Sequence, residues 1–222
     1  MQNWIFDIRS RSFVLLTALF LILTGFVYSG ITDSFDQSVV LFFSQNVGNP
    51  TIDLIMQYVT ESGDAFDMLM FAIIVLFIPK TRRIGITLMI LIVLSTLLTG
   101  YIKCGVDRER PDFEFEGVDF PVTISHDTFA LFCEGGYNAS YPSGHATRTM
   151  MFAIIFGYAL SNRFPRGAYL IFLYPAMVSL SRIYVLQHYP MDVIGGTVLG
   201  IMLAGVMAKR TKLYNIFEKS KT

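Results

Sequence analysis

This chain of 222 residues has only two cysteines, three histidines and no net charge, and each scarcity narrows what it can do. The 17 Lys and Arg residues are offset by 17 Asp and Glu, so the basic excess with which a nucleic-acid binder neutralises phosphates is missing. Charged residues make up only 15% of the chain against 53% hydrophobic, which excludes a disordered polymer. No internal repeat or low-complexity tract is present, and the length suits a single domain over 1–222. The two cysteines, Cys104 and Cys133, allow one disulfide.

What the chain does have is apolar residue in blocks. Residues 12–30 form 19 positions without a charge, close to the ~20 that a helix needs to cross a bilayer. A cleaved signal peptide is the competing reading, but no clear small-residue cleavage site follows the run. Five more apolar runs, at about 65–79, 84–102, 146–161, 168–186 and 191–208, bring the candidate spans to six. Several are short, and the charges between them decide the matter. With a cytoplasmic N-terminus, six spans put Arg9, Arg11, Lys80, Arg82, Arg83, Arg163, Arg166, Lys209, Arg210, Lys212, Lys219 and Lys221 on one side, twelve of the 17 basic residues. That obeys the positive-inside rule. The expected fold is therefore all-α: a polytopic bundle of six transmembrane helices in a cell or inner membrane, both termini cytoplasmic.

Between the first two spans, Ile52, Ile55, Met56 and Val59 share one helical face, and residues 31–64 read as an interfacial amphipathic helix or an irregular surface loop. The other long external connection covers 112–141. It holds Cys133 and the sequon Asn138-Ala139-Ser140, and an oxidising compartment would permit a Cys104–Cys133 disulfide. In the last span, the Gly196 to Gly200 spacing suits close helix packing.

Three polar strings fall on the opposite face from the basic loops. The first runs from Lys103 to Arg110-Pro111 at the outer end of the third span. The second is Pro142-Ser143-Gly144-His145 at the start of the fourth, where a helix N-terminus would point unpaired backbone N–H groups at an anion. The third, Ser181-Arg182 to His188 and Asp192, joins the fifth and sixth spans, and its His188 and Asp192 are four residues apart, a spacing that shares a helix face. Ionisable groups beside hydrocarbon are costly and mark functional sites. Arg148 reads as a headgroup contact or a snorkelling side chain. Arg108 and Asp107 read as forming local ion pairs or as adjusting the site, with no role assigned to either, and His126 as a solvated loop residue.

These strings resemble the signatures of the type 2 phosphatidic acid phosphatases, the membrane lipid phosphate phosphatases that share their site with the vanadium haloperoxidases. Lys103 with six residues before Arg110-Pro111, Pro142-Ser143-Gly144-His145, and Ser181-Arg182 with five residues before His188 and three more before Asp192 all match, in order. The resemblance implies that His188 is a nucleophile held by Asp192 and that His145 is the general acid and base. Lys103, Arg110, Arg182, Ser143 and Gly144 would bind the phosphoryl oxygens. No metal and no other cofactor is expected. The implied partners are a membrane lipid phosphate and the bilayer, with no nucleic acid and no obligatory protein partner. Two other readings stay open at this point: a lipid phosphotransferase, and a non-enzymatic lipid or anion transporter with the same anion site.

Overall fold

The chain is described by a computed structural model over residues 5–117, 133, 139–211 and 213–217. His126, Asn138, Lys212, Lys219 and Lys221 lie outside the described residues. Among the described residues the fold is all helical, with eight α-helices: α1 Arg11–Tyr28, α2 Asp33–Ser44, α3 Pro50–Glu61, α4 Ala65–Phe77, α5 Arg82–Val106, α6 Gly144–Ser161, α7 Leu173–Tyr184 and α8 Pro190–Thr211. A short 3-10 helix, Gly167–Phe172, leads into α7.

Each of the six apolar runs overlaps one of these helices. Length and composition qualify three as long and apolar enough to cross a membrane: α1, α5 and α8, with 18, 25 and 22 residues. The helix α4 is apolar but has only 13 residues.

Polar side chains mark the helix starts. Ser10, Asn49 and Asp64 accept backbone N–H groups at the first turns of α1, α3 and α4. The single interfacial helix expected over 31–64 is instead two, α2 and α3. Gly48 with φ +111 turns the chain, Asn49 caps the new helix, and Pro50, without an N–H to lose, begins it. The periodicity of 52–59 reported one helical face and carried no information about this break upstream.

The most extensive pairing is α6 against α8, followed by α4 against α5. Glycines allow the first. A Cβ on Gly196 would lie 2.3 Å from the Ser143 carbonyl oxygen, and one on Gly200 would lie 2.6 Å from that of Thr147. Residues four apart on α8 thus seat against residues four apart on α6, at backbone contact. Leu88, Leu91, Met151, Ile154, Ile155 and Ala204 fill the inner core, where α5, α6 and α8 meet. A second cluster, Phe20, Val27, Tyr141, Val198, Leu199 and Met202, fastens α1 to α8. Elsewhere α1 is apolar and exposed, as at Val14, Leu15, Leu21 and Ile22, which suits a lipid-facing helix.

Candidate active site

Backbone hydrogen bonds join the three polar strings before any side chain is considered. Asp107, in the left-handed region at φ 49, ends α5 and turns the chain back over the bundle. The carbonyl of the next residue, Arg108, accepts the Ser140 N–H at 2.7 Å, which ties the first string to the second. Ser143 donates its N–H to the Asp192 carbonyl at 2.9 Å, which ties the second to the third. The start of α6, the start of α8 and the exit of α5 therefore share one end of the bundle.

His188 occupies the turn between α7 and α8. Gln187 and His188 both donate their N–H groups to the Arg182 carbonyl, at 3.1 and 3.3 Å, and Leu186 takes φ 57. Leucine pays a steric cost in that region of about 1–2 kcal/mol, and the buried Leu186 side chain secures it. The His188 ring is buried, with Nδ1 3.5 Å from Asp192 Oδ2. The same carboxylate oxygen accepts the Tyr189 N–H at 2.8 Å. The longer distance makes the His188 contact an ion-pair approach rather than a formed hydrogen bond, and the Ser140 backbone also interacts with the ring. Burial, reinforced by Arg182, Lys103 and Arg110, holds the imidazole well below its ordinary titration range, so its resting form is neutral.

His145 stands in the first turn of α6, which Ser143 caps by accepting the Ala146 N–H at 3.5 Å. The His145 ring interacts electrostatically with His188, Lys103, Arg148 and Arg182. Lys103, in the last turn of α5, interacts with Arg110, Arg182, Arg148 and Asp192. Arg110 donates to the Gln187 side-chain oxygen, and Arg182 Nη1 donates to Thr60 Oγ1 at 3.2 Å. Two imidazoles and a group of cations therefore surround a small volume at a helix N-terminus. Such an arrangement suits a phosphoryl group, whose oxygens carry the charge that spreads during transfer.

Two cations belong to this site although neither is in a signature. Arg148 does not snorkel. It is buried, its Nε donates to the Gly63 carbonyl at 3.3 Å, and its guanidinium lies where a Cβ on Gly144 would meet it at 2.9 Å. Its place one turn after His145 was the available signal, but position on a helix does not reveal which way a long side chain runs. Arg108 donates to Asp192 Oδ1 at 2.8 Å. The turn between α3 and α4 forms a wall of the site: a Cβ on Gly63 would come within 3.3 Å of the His145 ring, and Tyr174 donates its hydroxyl proton to the Ser62 carbonyl at 2.8 Å. Cys104 and Cys133 are disulfide-bonded, their Cα atoms 6.0 Å apart, so the connection after Arg110 is fastened to the last turn of α5.

Known proteins are similar to this chain in sequence and in fold. The family described as "PAP2 superfamily" matches residues 84–214. An undecaprenyl-diphosphatase of Sulfolobus acidocaldarius is 29% identical over 86% of this chain and 87% of its own length. Phosphatidylglycerophosphatase B of Bacillus subtilis is 24% identical over 86% of this chain and 90% of its own. The crystal structure of a transmembrane PAP2-type phosphatidylglycerolphosphate phosphatase from Bacillus subtilis superposes with a TM-score of 0.69 at 22% identity, covering 94% of this chain and 98% of that one. The shared fold and the three helices fit to cross a bilayer make this an integral membrane protein.

Proposed function

The chain belongs to the PAP2 superfamily, and from that premise we propose that it is a lipid phosphate or pyrophosphate phosphatase working through a phosphohistidine. The observation that carries the proposal is the neutral, buried His188 beside Asp192, with cations from α5, α6 and α7 around it.

His188 attacks phosphorus through Nε2, since Nδ1 faces Asp192. A P–N bond forms as the P–O bond to the lipid leaving group breaks. Asp192 supports the positive charge that develops on the ring. His145 gives its proton to the departing oxygen, then takes one from water, which attacks phosphorus and breaks the P–N bond. Lys103, Arg110 and Arg182 hold the phosphoryl oxygens, joined by the Gly144 N–H and by the Ser143 hydroxyl, which caps α6 and still has its own proton to donate.

The same reading gives α1, α4, α5, α6, α7 and α8 as six spans, the termini in the cytoplasm and the site at the external face, the arrangement favoured by the basic residues. The lipid tail stays among the helices while the headgroup reaches the site. Undecaprenyl pyrophosphate, phosphatidylglycerophosphate, phosphatidic acid and lipid A all present the group it binds, and the relatives named for the first two support that class. The test is release of inorganic phosphate by purified protein from each lipid offered alone, with His188→Ala alongside. Release by the parent protein and none by the variant is expected. Transfer to a second lipid without free phosphate would identify a phosphotransferase.

A further inference from the structure

Arg108 lies between the nucleophile's carboxylate and a helix far from it in sequence. Its Nη1 donates to Asp192 Oδ1 at 2.8 Å, while Nη2 donates to Asp36 Oδ2 at 2.7 Å and to Asp33 Oδ1 at 3.1 Å, both on α2. The guanidinium also lies over the Tyr189 ring, 4.2 Å from its centroid. Asp36 is wholly buried, and its other oxygen accepts the Met191 N–H at 3.0 Å, in the same turn of α8 that carries Asp192. The result is a closed circuit: Asp36 to Arg108, Arg108 to Asp192, and Asp36 back to α8 through Met191.

The circuit fixes the carboxylate that faces the His188 ring. A carboxylate is planar and rigid, so fixing Asp192 Oδ1 against Arg108 also fixes Oδ2, the oxygen facing His188 Nδ1. The direction of Nδ1 sets the plane of the ring, and the ring plane sets the line from Nε2 to phosphorus. A fully buried carboxylate without a cation would take up a proton or rotate toward other donors. A carboxylate pair alone would repel, and the guanidinium between Asp36 and Asp192 removes that repulsion while bonding both.

We propose that Arg108 and Asp36 are positioning residues for phosphoryl transfer, acting through Asp192 to set the His188 ring, so that the α2 helix supplies part of the catalytic geometry. The proposal rests on His188 being the nucleophile.

Arg108→Lys and Asp36→Asn, in the full-length purified protein, test it. Lysine keeps the charge but cannot hold several carboxylates in one plane, and asparagine keeps the shape of Asp36 if the lysine variant does not fold. Each should lower kcat, Arg108→Lys by about 10- to 100-fold, the range for a small misplacement of a reacting group. KM and competitive inhibition by inorganic phosphate should stay within about twofold, because the phosphate-binding cations are untouched. The double variant should lose less than the product of the two single losses, since Asp36 and Arg108 act on the same carboxylate. Full kcat in both single variants, beside an inactive His188→Ala, would overturn the positioning role and leave the phosphatase reading standing. Phosphate inhibition weakened in step with kcat would also overturn it, by making Arg108 a phosphate ligand. Activity in His188→Ala would instead remove the reading on which the proposal stands.

Discussion

At the residue scale, the proposed chemistry turns on keeping one imidazole uncharged amid cations. Because burial and three basic neighbours hold His188 low, it stays unprotonated as pH falls through about 6.5, where a solvated histidine becomes charged. The acid limb of kcat/KM belonging to the nucleophile should therefore lie below pH 6.5, and a pH–rate profile with that limb at or above 6.5 would contradict the burial argument. Vanadate should inhibit, since its five-coordinate form resembles the transition state, and EDTA should leave the rate unchanged, because on the proposed mechanism Lys103, Arg110 and Arg182 supply the charge a metal would bring. Phosphate release with and without each reagent checks both. The signature residues were legible in the sequence because each sits at or within a few residues of a helix end, where short spacings translate directly into shared space. Arg108 was not, because its carboxylate partners lie 72 and 84 residues away and nothing in a linear pattern pairs them.

At the scale of elements, the crossing of α6 and α8 has the least tolerance. Gly196→Ala would drive a methyl group into the Ser143 carbonyl, at the very residue that caps α6 and precedes His145. A cost of about 1–3 kcal/mol is expected from such overpacking, seen as a lower melting temperature in detergent together with reduced activity. Gly25→Ala, on α1 with nothing within 4 Å of the added carbon, is the control and should leave the protein as stable or more so. The spacing of Gly196 and Gly200 announced a close contact without naming the partner. The break between α2 and α3 was missed for a different reason. Gly48, Asn49 and Pro50 form a stop-and-start signal, but it lies within a stretch whose amphipathic pattern resumes on the far side, and periodicity averages over such a gap.

For the whole molecule, charge distribution and the disulfide set what can reach the site and what holds it. On the proposed topology the basic loops lie on the opposite side and most of the 17 acidic residues on the side of the site, so soluble anions should meet repulsion there. Lipid phosphates arriving along the bilayer should exceed water-soluble phosphate esters by at least about tenfold in kcat/KM, a difference that remote binding energy from the acyl chain readily supplies; equal rates for matched lipid and soluble esters would refute this. Opening the Cys104–Cys133 bond, across 29 residues of chain, should cost up to about 3.5 kcal/mol by loop entropy, measured as a fall in melting temperature on reduction. The circuit around Arg108 also dictates an order of assembly. Asp36 emerges from the ribosome 72 residues before the guanidinium that neutralises it and 155 before the Met191 N–H that completes its shell. Until both arrive, the carboxylate must stay in water, so α2 seats after α8 has been inserted. A chain that still lacks α8 should therefore carry no docked α2 and, on the proposed mechanism, should leave the lipid phosphates around it intact.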